Sequence, residues 1–113
     1  MPFPPAEFDA LSDRVASLLA PAGFAPEQME RSGVFGSHFS DYANSAKVYR
    51  LVWDGKESWL LLEYCDNFQA SVPSRWNVVA LYRAGRDHSA KELSGLGVQL
   101  VDALRIHLSS YAA

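Results

Sequence analysis

The first part of the chain has the hydrophobic period of an amphipathic α-helix. Apolar residues recur there at intervals of three and four, which places them on one side of a helix. We predict that this helix begins near Pro5, which suits a first turn, and ends near Ala20. Pro21 and Gly23 follow as breaks, after which Phe24 should tuck back under the helix end. The apolar stripe consists of Phe8, Leu11, Val15, Leu18 and Leu19.

The pattern changes to that of a β-sheet from about Ser32 to Arg83. β-Branched and aromatic residues dominate this region, and glycine, asparagine and aspartate interrupt them, as is typical of strands joined by turns. We predict strands at about 33–43, 46–53, 58–65 and 76–83. Short connections between them favour an antiparallel meander, because parallel strands need a long crossover.

The turn between the second and third predicted strands allows their two faces to be assigned. Asp54 and Gly55 form a pair that is favoured in tight hairpins, where a positive φ is required. A turn of two or four residues places one set of side chains together on a core face, and a three-residue turn would reverse one strand. The core set is Tyr49, Leu51, Trp53, Ser58, Leu60, Leu62 and Tyr64. The opposite set is Val48, Arg50, Val52, Glu57, Trp59, Leu61, Glu63 and Cys65.

The last segment has a helical pattern again. Ser89 and Glu92 have the spacing of a capping box, in which each side chain satisfies a free backbone N–H of the other residue. Gly95 and Gly97 lie within the helix, where we expect them to permit close approach to the sheet. The predicted fold is a single α+β domain over residues 1–113, in the order α-β-β-β-β-α. Its four-stranded antiparallel meander sheet carries two helices packed on one face.

Composition and charge exclude several classes of function. With 49% hydrophobic and 20% charged residues, the 113-residue chain has the composition of a globular domain. Its net charge of -3 argues against nucleic acid, because a phosphate-backbone binder needs a basic surface. No apolar run approaches the roughly 20 residues that span a bilayer, so we expect no membrane contact. The N-terminus lacks the pattern of a secretory signal, and we expect a cytoplasmic protein.

The stretch Ser37-His38-Phe39-Ser40-Asp41 contains the side-chain types of a hydrolase triad. In an extended strand, however, His38 and Asp41 point to opposite faces. A triad needs the aspartate at one nitrogen of the imidazole and the serine at the other. The chain also has no Gly-x-Ser-x-Gly motif. We therefore predict no catalytic residue, and interpret this stretch as an edge strand.

Metal and cofactor sites have no local signal. His38, His88 and His107 form no closely spaced ligand pair, so neither a metal nor a cofactor is expected. We expect Arg86, Asp87 and His88 to form a turn before the last helix, with Asp87 favourable near the helix start. His107 lies near the helix C-terminus, where a partly positive imidazole would suit the helix dipole, and we interpret it as a structural residue.

Cys65 and the glycines indicate neither a reactive thiol nor a nucleotide-binding site. Cys65 is the only cysteine, and adjacent Asp66 should raise its thiol pKa, which favours a structural role. The glycines match neither a phosphate-binding loop nor a dinucleotide-binding motif.

The strongest functional signal is the face of the sheet that two helices leave uncovered. It should carry Trp59 close to Arg50, whose guanidinium could stack on the indole, together with Leu61 and Glu63. Tryptophan and arginine dominate binding hot spots, and monomers seldom expose a sizeable apolar patch. We predict that Arg50, Trp59, Leu61 and Glu63 bind a protein partner or a second copy of the chain.

Two sequence stretches, LLAPAGF and YRLVWDGKESWLLLEY, resemble small bacterial α+β proteins of uncharacterised families. Some of those proteins are proposed as immunity proteins of toxin systems. The resemblance therefore implies an α+β fold and an immunity-like inhibitor as one form of a non-enzymatic interaction module. No site residue follows from it. The alternative is a small-molecule binder or small enzyme with a pocket between the sheet and the loop at 66–75, using Arg50, Glu63 and the tryptophans.

Overall fold

A computed structural model describes residues 3–31, 33–66, 75–85 and 89–111. Within these ranges the chain forms two α-helices that flank five β-strands in sequence. The helices are α1 (Pro5–Leu19) and α2 (Ala90–Tyr111). The strands are β1 (Ala25–Glu30), β2 (His38–Ala43), β3 (Lys47–Asp54), β4 (Trp59–Asp66) and β5 (Asn77–Arg83). The α+β class, the antiparallel sheet and the two terminal helices are confirmed.

Helix α1 forms and ends as its sequence predicts. Four members of its apolar stripe are buried, and Pro5 occupies the first turn. A 3-10 turn over Ala20–Ala22 follows, and Gly23 has a φ of 89°, a left-handed conformation that glycine adopts without steric cost. Phe24 then packs edge-on against Tyr49 of β3, with ring centroids 5.0 Å apart. The chain thus folds back under the helix end.

The sheet has five strands, so the predicted four-stranded meander is wrong in this detail. The strands pair in their sequence order, all antiparallel, with β1 at one edge and β5 at the other. Every residue of β1 is exposed, and Pro26 interrupts its hydrogen-bonding capacity, so the segment has no apolar alternation to reveal it. Because β1 pairs with β2, the stretch from His38 to Asp41 lies in an inner strand rather than an edge strand.

The first predicted strand, 33–43, is too long at its start. Residues Val34–Gly36 form a short turn, in which Phe35 has a φ of 60° and Gly36 a φ of 72°. Strand β2 therefore begins only at His38. The left-handed conformation at Phe35 is uncommon for a non-glycine residue, and the side chain of this residue is exposed to solvent.

The face assignment across the β3–β4 hairpin is confirmed for the residues of the two strands, whereas Glu57 and Ser58, which it also included, lie in the turn. A four-residue turn joins the strands, and Tyr49, Leu51 and Trp53 pair with residues of β4 on the helix-covered face. The reason given for Gly55 is wrong, because the positive φ of this turn belongs to Ser58, at 58°. Gly55 is required instead because a Cβ there would lie 1.9 Å from the carbonyl oxygen of Phe35.

The main hydrophobic core lies between the helices and the sheet. Its side chains come from both helices and from the inner strands, with Trp53, Leu60, Leu62, Leu100 and Leu104 fully buried. At the start of α2, the backbone N–H of Glu92 donates to Ser89 Oγ over 3.1 Å, which forms the serine half of the predicted capping box. Glu92 Oε1 is buried without a hydrogen-bond partner among the described residues, so this oxygen does not supply the reciprocal bond.

The role expected for the α2 glycines needs correction. A Cβ on Gly97 would meet Leu11 of α1 at 3.4 Å, an ordinary contact distance, so this glycine faces the other helix rather than the sheet. A Cβ on Gly95 would meet nothing within 4 Å. Gly95 is therefore not required for any close approach to the described part of the chain.

Neither helix of the described ranges is long and apolar enough to cross a membrane.

Candidate interaction surface

The face of the sheet opposite the helices, here called the open face, is organised in rows of directly paired residues. Antiparallel pairing places side chains of neighbouring strands side by side, about 5 Å apart. The apolar row crosses four strands and consists of Phe39, Val52, Leu61 and Leu81. A second row lies two residues from the apolar row along each strand and is called the charged row. It consists of Asp41, Arg50 and Glu63, and Val78 is the residue of β5 that pairs with Glu63. The mixture of apolar and charged groups predicted for this face is therefore an ordered pattern.

Arg50 is held in place by its own chain. Its Nε and Nη2 donate to the two carboxylate oxygens of Asp41 over 2.8 and 3.0 Å, a bidentate ion pair. The hydrogen bond to Asp41 raises the Arg50 pKa further above its ordinary value. The guanidinium carbon also lies 4.7 Å from the ring centroid of Trp76 and 5.5 Å from that of Phe39. Arg50 thus organises this part of the open face.

Glu63 faces Arg50 in the register, yet Arg50 donates to Asp41 on its other side. Burial raises the pKa of the Glu63 carboxyl, an effect that Arg50 opposes and Asp41 reinforces. In the described part of the chain this carboxylate has no ion-pair partner. Glu63 is therefore a half-buried acid with unused hydrogen-bonding capacity.

The predicted stacking of Arg50 on Trp59 is wrong. Trp59 pairs with Asp54 and Arg83, two residues beyond the apolar row and four from Glu63, which puts it out of reach of Arg50. Arg83 stacks on it instead, with its guanidinium carbon 5.2 Å from the ring centroid. Arg83 is exposed, and among the described residues no carboxylate pairs with it.

All four predicted site residues lie on the open face, but the structure does not gather them into one cluster. Leu61 is at the centre of the apolar row, Glu63 and Arg50 lie on one side of it, and Trp59 lies on the other. The register of β5 could have indicated further residues of this face, but the long connection after β4 leaves that register unfixed in the sequence. The prediction missed Phe39, Leu81, Arg83, Val34 and Phe35.

A short loop extends the apolar surface at the start of β2. Val34 and Phe35 are 76% and 65% exposed, which is unusual for side chains of this size. The backbone N–H of Gly55 donates to Ser37 Oγ over 2.9 Å and fixes the loop against the β3–β4 turn. Between this loop and the apolar row is a cleft of about 410 Å³, lined in part by Phe35, Phe39, Val52 and Lys56. Its size suits a large side chain.

The opposite end of the open face is closed by the chain itself. Ala43, Val48 and Cys65 form a small buried cluster there, against which Trp76 packs. Cys65 is only 1% exposed, and burial, with a smaller contribution from Asp66, raises its thiol pKa. The structural role predicted for Cys65 is consistent with this environment. The accessible part of the open face is thus its middle and the end near Phe35.

The helix-covered face holds a polar network that the sequence analysis missed. Arg31 uses all five of its N–H groups: to Asp9, to the carbonyl oxygens of Glu30 and Phe39, and to the hydroxyls of Ser12 and Ser40, over 2.6 to 3.1 Å. Its guanidinium also lies 4.6 Å from the centre of the Phe8 ring. These partners are up to 22 residues away in sequence, so no local pattern reveals them. The hydrogen bonds of Arg31 thus link α1 and the end of β1 to β2.

The residues of the apparent triad lie apart, as predicted. His38 is buried on the helix-covered face, where its Nε2 donates to the Phe3 carbonyl oxygen. Asp41 is on the open face with Arg50, and Ser37 accepts from the Gly55 backbone. A triad requires one imidazole between a serine and an aspartate, and the residues of this stretch do not form that arrangement.

The described residues bear on only part of the metal and ligand predictions. Among those residues, no three His, Cys, Asp or Glu side chains are grouped closely enough to hold a metal ion. His107 shares a hydrogen bond with the Tyr49 hydroxyl at 2.8 Å, and burial lowers its pKa, which opposes the effect of the helix C-terminus. Residues 67–74 of the predicted pocket-forming loop, and the predicted turn at 86–88, lie outside the described residues.

No protein-family model, curated protein or solved structure matches the chain.

Proposed function

We propose that this protein is a non-enzymatic interaction module that binds a protein partner through the open face. The observation that carries the proposal is the apolar row, whose side chains reach solvent together with those of Val34 and Phe35. Leu81 is 45% exposed and the apolar members of the inner strands are half-buried. Exposed apolar surface bordered by charged groups is the usual composition of a protein-binding surface.

The cleft beside the apolar row supports the same function. Hot spots in interfaces are formed by large anchors that enter well-defined pockets, with polar groups at the rim. Here Phe35, Phe39 and Val52 provide apolar lining, and Asp54 and Lys56 provide charged groups. A partner can thus contribute one apolar anchor to the cleft and cover the row with the rest of its surface.

The test compares apolar-to-acidic substitutions on two surfaces of the same chain. Leu81→Glu and Phe35→Glu each place a carboxylate in the proposed interface, and Ile106→Glu places one on α2, where Ile106 is 69% exposed. We expect the first two variants to lose at least tenfold in association with the partner bound by the wild type, since an uncompensated buried charge costs more than about 1.4 kcal/mol. Ile106→Glu should bind normally.

Association is measured by quantitative capture from the host lysate and by light scattering of the purified protein. Circular dichroism confirms that each variant is folded. Equal binding by wild type, Leu81→Glu and Phe35→Glu would exclude the open face as the binding surface.

A further inference from the structure

The open face carries two opposite charges, Glu63 and Arg83, that take part in no ion pair within the described residues. Asp54, in the same row as Trp59 and Arg83, accepts instead from the backbone N–H groups of Lys56 and Glu57 in the turn. Glu63 lies two residues to one side of the apolar row, and Arg83 pairs with Trp59 two residues to the other side. At about 3.3 Å per residue, the two charged positions are about 13 Å apart along the strands. No ion pair within the described residues involves either side chain.

This arrangement is complementary to itself. A two-fold axis that runs along the apolar row, between two facing sheets, places each apolar row against its copy. The same rotation exchanges the two sides of the row, so Glu63 of one chain comes over the Trp59 and Arg83 side of the other. The long arginine side chain then has to cross only one strand spacing, about 4.8 Å, to reach the carboxylate.

We propose that the partner of the open face is a second copy of this chain, in a two-fold dimer with reciprocal Glu63–Arg83 ion pairs around the joined apolar rows. This inference rests on the proposed function of the open face and adds the identity of the occupant. A partner of another kind could also supply the two counter-charges, but it would give no reason for the two sides of the row to be complementary to each other. The contact is confined to the middle of one sheet face, so we expect a dissociation constant on the order of micromolar.

The decisive experiment uses charge reversal and mixing. Glu63→Arg alone places two arginines opposite each other, and Arg83→Glu alone places two glutamates opposite each other. Each variant should therefore self-associate at least about tenfold more weakly than wild type. A mixture of the two variants regains attractive pairs. We expect it to form heterodimers within about threefold of the wild-type affinity, and the double variant to form homodimers again.

Sedimentation velocity over about 1 to 500 μM measures these affinities. Arg105→Glu reverses an exposed arginine on α2 and is the matched control, with unchanged association. Glu63→Gln and Arg83→Gln remove one charge each and supply a milder pair of variants should a reversed charge disturb folding; each should weaken the dimer.

Two outcomes would overturn the dimer. One is a wild-type protein that stays monomeric throughout the concentration range. The proposed function of the open face is then tested separately, by comparing how much partner the wild type, Leu81→Glu and Phe35→Glu capture from the lysate. The other is a wild-type dimer in which the charge variants behave like wild type and their mixture gains nothing. If Leu81→Glu also leaves that dimer and lysate capture unchanged, the proposed function fails as well.

Discussion

Gly55 offers the sharpest test of the packing that positions the exposed Phe35 loop. A Cβ at position 55 would lie 1.9 Å from the Phe35 carbonyl oxygen, whereas ordinary contacts begin near 3.4 Å. The Gly55→Ala variant must therefore separate the loop from the β3–β4 turn by about 1.5 Å, the difference between these two distances. That movement also breaks the hydrogen bond from the Gly55 N–H to Ser37 Oγ.

The change in the free energy of unfolding of Gly55→Ala has three contributions. Overpacking of this kind costs about 1 to 3 kcal/mol. The lost hydrogen bond adds about 1 kcal/mol. The lower entropy of alanine in the unfolded chain returns about 0.4 to 1 kcal/mol. We expect Gly55→Ala to lower the free energy of unfolding by about 1 to 3.5 kcal/mol.

The chain supplies two matched controls in α2. Gly95→Ala adds a methyl group with nothing within 4 Å, so helix propensity alone should raise the free energy of unfolding by about 0.5 to 1 kcal/mol. In Gly97→Ala the same gain is offset by contact with the flexible end of Leu11 at 3.4 Å, and we expect a change near zero. Urea denaturation of the three variants measures the differences. A Gly55→Ala protein as stable as wild type would refute the close approach of Phe35 to Gly55.

Two further variants test the charged groups of the two faces. Arg31→Met should lower the free energy of unfolding by about 3 kcal/mol in urea denaturation. The Phe39 carbonyl oxygen and the Ser40 hydroxyl, both partly buried, each lose a donor worth about 1 kcal/mol, and the cation–π contact with Phe8 is lost. Arg105→Met, an exposed control, should cost below about 0.5 kcal/mol. Equal costs would contradict the network. Burial raises the Glu63 pKa, so the folded state binds the proton more tightly and stability falls as the pH rises past the unfolded-state value. Glu63→Gln should therefore raise the thermal midpoint at about pH 7 in dilute, monomeric solution and lose this advantage below about pH 4, and a lower midpoint at neutral pH would count against it.

The sequence predicted what depends on local periodicity and missed what depends on distant contacts. The faces of β3 and β4 follow from alternation and a short turn, so the positions of Leu61 and Glu63 could be assigned in advance. Strand β1 could not be found, because its residues are exposed and obtain their pairing from β2. The Arg83–Trp59 contact also depends on a strand register set after a long connection, and proximity in sequence offered no means of choosing Arg83 over Arg50.

The two faces of the sheet differ in how far their polar groups are satisfied, and this difference places the proposed interaction on one of them. On the helix-covered face, Arg31 uses all five donors and Tyr42 donates to the Ser12 carbonyl oxygen, so these groups are satisfied within the chain. On the open face Arg50 is matched by Asp41, while Glu63 and Arg83 have no ion-pair partner among the described residues and lie beside an exposed apolar row. Burying an unpaired charge is costly unless the incoming surface supplies its counter-charge. A partner of the open face must therefore bring a cation to one side of the row and an anion to the other, and a second copy, turned about the row, brings both.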